Sequence, residues 1–93
     1  LGVLRYKGNS LDISGLKRGD NNVGVYAYKM MLKLAKTCKI ISTSVDFNGI
    51  YGKGTEKATN EILRKLKKKE NGIAGVKLIN ALYEAILDKI VNF

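Results

Sequence analysis

Phe47-Asn48-Gly49-Ile50-Tyr51-Gly52-Lys53-Gly54-Thr55-Glu56-Lys57-Ala58 is the stretch on which the reading of this chain turns. Asn48-Gly49 is a turn dipeptide, since both residues tolerate positive φ. Gly52 and Gly54 let the backbone bend again within a few residues. Thr55 suits a helix N-cap, and Glu56 behind it suits the positive end of the helix dipole. Ile50 and Tyr51, caught between the turns, are expected to fold back onto a core. A loop this constrained either pins two helices together or shapes a groove.

Amphipathic segments flank the loop. Upstream, Leu16-Lys17-Arg18-Gly19-Asp20-Asn21-Asn22 reads as a turn that offers Asp20, Asn21 or Asn22 as an N-cap. A helix follows from about Val23 to Thr37, with Val25, Tyr28, Met31, Leu32 and Ala35 spaced as one apolar stripe. Ile40, Ile41, Thr43 and Val45 lie among serines in a short β-prone run, read as an extended connector. Downstream of the loop, a second helix is expected over about Glu56 to Lys69. Its buried stripe is Ala58, Ile62, Leu63 and Leu66, and Asn71-Gly72 is its C-cap and turn. A third helix runs from Val76 to about Val91, with Val76, Ile79, Leu82, Tyr83, Ile86, Leu87, Ile90 and Val91 inward. Residues 1–15 carry weak signals and read as a linker or an edge segment. The fold class is therefore all-α: a small three-helix bundle with glycine-rich structured connectors, over residues 16–93. Helices of such lengths are marginal alone, so packing decides.

Composition limits what such a domain does. At 93 residues it is one small domain. No apolar run approaches the roughly 20 residues that span a bilayer. The chain has one cysteine and no histidine. An internal disulfide is excluded, a zinc site is disfavoured, and Cys38 reads as a small apolar residue at a helix end. The acids Asp46, Glu56 and Glu61 form no recognisable glycosidase pair. No catalytic residue, metal or cofactor is assigned. The net charge of +9 attracts a polyanion, whether nucleic acid, anionic membrane or wall polymer. Lysine outnumbers arginine 14 to 3, which suits diffuse attraction better than bidentate readout. The cluster Arg64, Lys65, Lys67, Lys68 and Lys69 reads first as a solvated helix end.

The order of these signals resembles the peptidoglycan-binding-domain-like family, the type 1 putative peptidoglycan-binding domain. The family pattern is a Leu-x-x-Gly-Asp opening, a helix with Val-x-x-Leu-Gln, then Asp-Gly-x-Phe-Gly-x-x-Thr-x-x-Ala. Here the opening is Leu16-Lys17-Arg18-Gly19-Asp20. The first helix has Val25 and then Tyr28-Lys29 in place of Leu-Gln. The central motif runs from Asn48 to Ala58, with Asn48 for aspartate and Tyr51 for phenylalanine. Asn71-Gly72-Ile73-Ala74-Gly75 resembles the third connector, and the likeness covers about residues 16–90.

The resemblance implies a noncatalytic module that holds a wall hydrolase, such as an endolysin or autolysin, on peptidoglycan. It implies an extracellular, cell-wall location and a partner in peptidoglycan, with anionic wall polymers as a further partner for the charge. The chain opens on Leu1 rather than Met, and a processed or excised piece of a longer protein is expected. The absence of proline and abundant Lys, Asn and Ile suit an AT-rich source, a low-GC Gram-positive bacterium or its phage. The ligand groove is expected at Asn48, Tyr51, Lys53 and Thr55, with Tyr26 as an exposed ring for sugar stacking. The alternatives are a basic nucleic-acid-binding three-helix domain and a protein-interaction domain on the same fold. The third helix has few base-reading side chains, so no nucleic-acid partner is expected.

Overall fold

The computed structural model describes residues 15–91. The segment read as a linker lies, except for Gly15, outside the described residues. Three helices form, α1 (Val23–Thr37), α2 (Lys53–Lys65) and α3 (Val76–Val91). Among the described residues there is no strand, only two isolated antiparallel bridges, Leu16 with Ala74 and Asn21 with Ile50. The protein is an all-α three-helix bundle, and both α1 and α2 pack against α3.

Each helix ends where its caps dictate. Asn22 caps α1, its side-chain oxygen accepting from the Val25 N–H at 3.0 Å. Beyond Thr37 the chain turns through Lys39 at φ 63°. The Lys39 and Ile40 N–H groups return to the carbonyls of Lys36 and Ala35 at 3.0 and 2.8 Å. This is a Schellman ending, built with lysine where glycine is usual. It recurs after α2, where Lys67 sits at φ 58°. There Lys67 and Lys68 donate to Arg64 and Leu63 at 3.0 and 2.8 Å. The second helix therefore stops at Lys65, not near Lys69. No glycine marked that stop in the sequence.

The start of α2 also departs from expectation. Gly52 is its N-cap and makes no side-chain bond. Thr55 lies inside the first turn, 1% exposed. The Asn48-Gly49 turn uses no positive φ. Gly49 is required for space instead: a Cβ there would lie 3.1 Å from the Asn22 carbonyl oxygen. Ile50, expected in the core, is 50% exposed.

The connectors are bound to one another. The Tyr51 N–H donates to Asp20 O at 2.8 Å, and the Gly19 N–H to Tyr51 O at 3.0 Å. The Gly15 N–H donates to Ala74 O at 2.7 Å, and the Ala74 N–H to Leu16 O at 2.8 Å. Residues 15–22 are thus clamped between the connectors that precede α2 and α3. Gly72, at φ 74°, donates to the Asn60 side-chain oxygen at 2.8 Å.

The apolar core includes Val25, Leu32, Ala35, Ala58, Ile62, Leu78, Ile79, Leu82 and Ile86. The α1 stripe is buried as its spacing requires. The α3 stripe is only partly so. Val76, Leu87, Ile90 and Val91 are exposed, and Leu78 is buried in addition to Ile79, Leu82 and Ile86. The apolar face of α3 is wider than the strip that α1 and α2 cover.

A chain of hydroxyls runs through this core. Thr59 Oγ1 lies 2.8 Å from the Tyr28 hydroxyl and 2.7 Å from that of Tyr51. The Tyr51 hydroxyl also donates to Gly72 O at 2.7 Å. A carbonyl only accepts, and Thr59 Oγ1 also donates to Thr55 O at 2.9 Å, so three hydroxyl protons serve four contacts: Tyr28 donates to Thr59, Thr59 to Thr55, and Tyr51 divides its proton between Gly72 and Thr59. Burial pushes the Tyr51 phenol up to about 12 and raises that of Tyr28 as well, so both keep their protons at neutral pH.

Two stability measurements test this account. Thr59→Val leaves the Tyr28 hydroxyl buried without its partner and should cost about 1–3 kcal/mol in urea denaturation. Lys67→Gly relieves a left-handed side-chain conformation while keeping both turn bonds. It should stabilise the domain by up to about 1 kcal/mol, and Lys67→Ala should not.

Candidate functional site

The buried ammonium of Lys29 shapes the surface next to α1. Lys29 is 1% exposed. Its Nζ donates to Asp46 Oδ1 at 2.8 Å and to Asn48 Oδ1 at 2.7 Å. Asn48 closes the triangle, donating from Nδ2 to Asp46 Oδ2 at 2.9 Å and accepting from the Ile50 N–H at 2.9 Å. The ammonium bonded to Asp46 holds that carboxyl below its usual range.

Phe47 lies between these two anchored residues and is turned outward. It is 54% exposed, and its ring centroid lies 5.0 Å from that of Tyr26, tilted by 34°. Tyr26 is 38% exposed. The Lys33 ammonium stands 5.3 Å from the centre of the Phe47 ring. Tyr26, Met30 and Lys33 follow one another at helical spacing on the outer face of α1, away from its buried stripe. The result is a solvent-facing aromatic pair edged by a cation.

A pocket of about 280 Å³ adjoins it, lined by Lys33, Lys36, Thr37, Thr43, Ser44 and Val45. Glu61 fixes its connector wall. This carboxylate is 8% exposed and accepts from the Ser42 N–H at 2.9 Å, the Ser42 hydroxyl at 3.2 Å, the Thr43 N–H at 3.2 Å and the Thr43 hydroxyl at 2.8 Å. Burial alone would raise its pKa. The four hydrogen bonds outweigh burial and hold it below the ordinary 4.5.

The expected site residues are dispersed by the fold. Tyr26 is on the surface, as required of a stacking ring. Tyr51 is 1% exposed, and its hydroxyl is committed to Thr59 and Gly72. Thr55 is buried as well. Neither side chain can frame a groove, because the constrained loop turns them onto the helices. Asn48 is spent on the Lys29 triangle. Lys53 is exposed as the first residue of α2. It lines a different groove, of about 560 Å³, with Lys57, Asn60, Arg64 and Glu70. There Glu56 pairs with Arg18 at 3.1 Å and Glu70 with Arg64 at 3.3 Å. Cys38 is half-buried at the C-cap of α1.

Phe47, Lys33 and Lys36 were not singled out from the sequence. A usable signal existed in the residues either side of Phe47, since an aromatic between Asp46 and Asn48 has polar neighbours on a turn. Lys29 gave less warning, standing on the inner edge of an otherwise apolar stripe. Among the described residues no group of His, Cys, Asp and Glu could hold a metal ion. None of their helices is long and apolar enough to cross a membrane. No protein-family model matches the sequence, and no curated protein matches it.

The Lys29 triangle and the Glu61 cradle each make a measurable claim. Asp46→Ala leaves a buried ammonium with one partner, whereas Lys29→Met removes the charge and lets the exposed Asp46 carboxylate return to water. Asp46→Ala should therefore lower the urea midpoint more than Lys29→Met. For Glu61, the folded state holds its proton less tightly than the unfolded state. The unfolded chain then binds more protons, so stability rises with pH. The contribution of Glu61 is complete above its ordinary value and fades as pH falls through the lowered one. Glu61→Gln should cost about 1–3 kcal/mol at pH 7. Its stability should also fall less than that of the wild type as urea titrations are moved from about pH 6 to about pH 3.

Proposed function

We propose that this domain is a noncatalytic bacterial cell-wall-binding module that seats a sugar of peptidoglycan on the Tyr26–Phe47 pair. The exposed pair carries the reading: two aromatic rings at 5.0 Å, one on α1 and one on the connector before α2, held outward by a buried lysine. Aromatic faces suit the C–H faces of pyranose rings, which are apolar while their hydroxyls stay wet. Lys33 at the edge of the pair suits an anionic group carried beside the sugar. The net charge of +9 supports attraction to a polyanionic wall. The resemblance of the opening, central and third-connector motifs to the peptidoglycan-binding-domain-like family supports the same reading.

On this reading the module works outside the cell and raises the local concentration of an attached wall hydrolase on its insoluble substrate. The ligand contacts pass from the loop interior to its outer edge. Tyr26 and Phe47 touch the glycan, while Tyr51 and Thr55 hold the backbone that presents Phe47.

Co-sedimentation with purified sacculi tests the proposal. The wild type should pellet with the wall. Phe47→Ala should weaken binding by about 1 kcal/mol, roughly fivefold, and Tyr26→Ala by a similar amount, with helicity unchanged by circular dichroism. Unchanged binding by the double variant would remove the aromatic pair from the site. Failure of the wild type to pellet would remove the wall.

A further inference from the structure

The pocket beside the aromatic pair gathers hydrogen-bond donors. Two ammonium groups line it, Lys33 and Lys36, together with the hydroxyls of Thr37, Thr43 and Ser44 and no carboxylate. The state of each hydroxyl can be read from its bonds. Thr37 donates to Lys33 O at 3.1 Å, and Thr43 donates to Glu61. Ser44 accepts from the Lys36 ammonium, which leaves the Ser44 proton free to donate. The free donors are therefore the Ser44 hydroxyl, the two remaining N–H bonds of Lys36, and Lys33. Glu61 on α2 does not line the pocket, and its carboxylate is committed to four hydrogen bonds from Ser42 and Thr43. Asp46 is likewise occupied by Lys29.

We infer that this pocket binds a phosphodiester of a polyol- or sugar-phosphate wall polymer, next to the sugar seated on Tyr26 and Phe47. The inference rests on the wall-binding reading and names the anion that the reading left open. Lys33 belongs to both sites, since its ammonium lies 5.3 Å from the Phe47 ring centre and its side chain lines the pocket. One ligand with an anion next to a sugar or polyol unit therefore engages both. Lysine binds phosphate as a point charge, and the free oxygens of a phosphodiester can be shared between two ammoniums and a hydroxyl. The pocket holds one such group. A nucleic acid strand requires a basic groove that follows several successive phosphates.

The test compares the wild type, Lys36→Gln, and Lys33→Gln with Lys36→Gln on three probes. These are intact sacculi, sacculi freed of phosphate polymers by hydrofluoric acid, and soluble poly(glycerol phosphate). Phe47→Ala serves as the control for the aromatic pair. The wild type should bind intact sacculi about tenfold more tightly than stripped ones, the scale of one charge-assisted hydrogen bond. Lys36→Gln, which leaves the aromatic pair and Lys33 in place, should bind both preparations as the wild type binds stripped sacculi, and the double variant should not bind the soluble polymer. Phe47→Ala should weaken binding to both preparations.

Equal loss by Lys36→Gln on stripped sacculi would assign the pocket to a stem carboxylate and overturn the phosphodiester. No change in the double variant on any probe would overturn the pocket itself while Phe47→Ala still reports the sugar site. Tighter binding of a single-stranded oligonucleotide than of poly(glycerol phosphate) would overturn it in favour of nucleic acid. Should the wild type bind no wall preparation, the wall-binding reading falls first. Circular dichroism checks that each variant folds, and Ser44→Ala, which keeps every lysine, should reproduce part of the loss.

Discussion

Tyr51 is the residue on which the three connectors of this fold converge. Its N–H and carbonyl pair with Asp20 and Gly19, fixing the segment that leads into α1. Its hydroxyl reaches Thr59 on α2 and the Gly72 carbonyl in the connector before α3. Its ring stacks at 6.3 Å on that of Tyr28 from α1. A phenylalanine would fill the same space. The hydroxyl adds the hydrogen bond that a buried carbonyl at Gly72 would otherwise lack. Each bond alone is worth about 1 kcal/mol, and their convergence on one buried side chain gives the connectors a common reference point.

The surface follows from that interior. With Tyr51 turned in, the preceding turn must turn out, and Lys29 determines how. An ammonium that enters the core needs acceptors, and Asp46 and Asn48 supply them from either side of Phe47. The desolvation of one charge thus aims an aromatic ring at solvent. An ion pair between a buried ammonium and an exposed carboxylate adds little to net stability, but it specifies geometry, which is what a recognition surface requires. Glu61 plays the corresponding part for the neighbouring connector. Its two oxygens bind two backbone N–H groups and two hydroxyls of an extended segment that has no strand partner.

The helices were legible in the sequence where burial is periodic. The α1 stripe and the extents of α1 and α3 match the structure because spacing of three and four residues reports directly on one face. The end of α2 was not legible, because Lys67 adopts a left-handed conformation that glycine normally signals. The beginning was misread because Thr55 looks like a cap, while the extended residue that precedes the helix is Gly52. Ile50 and Tyr51 are adjacent, and alternation along an extended chain sends one out and one in; the sequence does not say which. The candidate site was legible in Tyr26, which falls off the stripe. Phe47, Lys33 and Lys36 escaped because their proximity depends on a lysine whose burial no local pattern announces.

The pairing of Leu16 with Ala74 ties the start of the described chain to the connector before α3. That tie bears on how the domain opens. A bundle joined only by its loops can fray one helix at a time. Here the segment before α1 is bonded to the segment before α3, and between them to the one before α2. Releasing any helix strains a backbone bond shared with another. Hydrogen exchange at the Tyr51 and Ala74 amides should therefore require the global opening reaction, so the domain behaves as a single cooperative unit whose stability is felt as much in its connectors as in its helices.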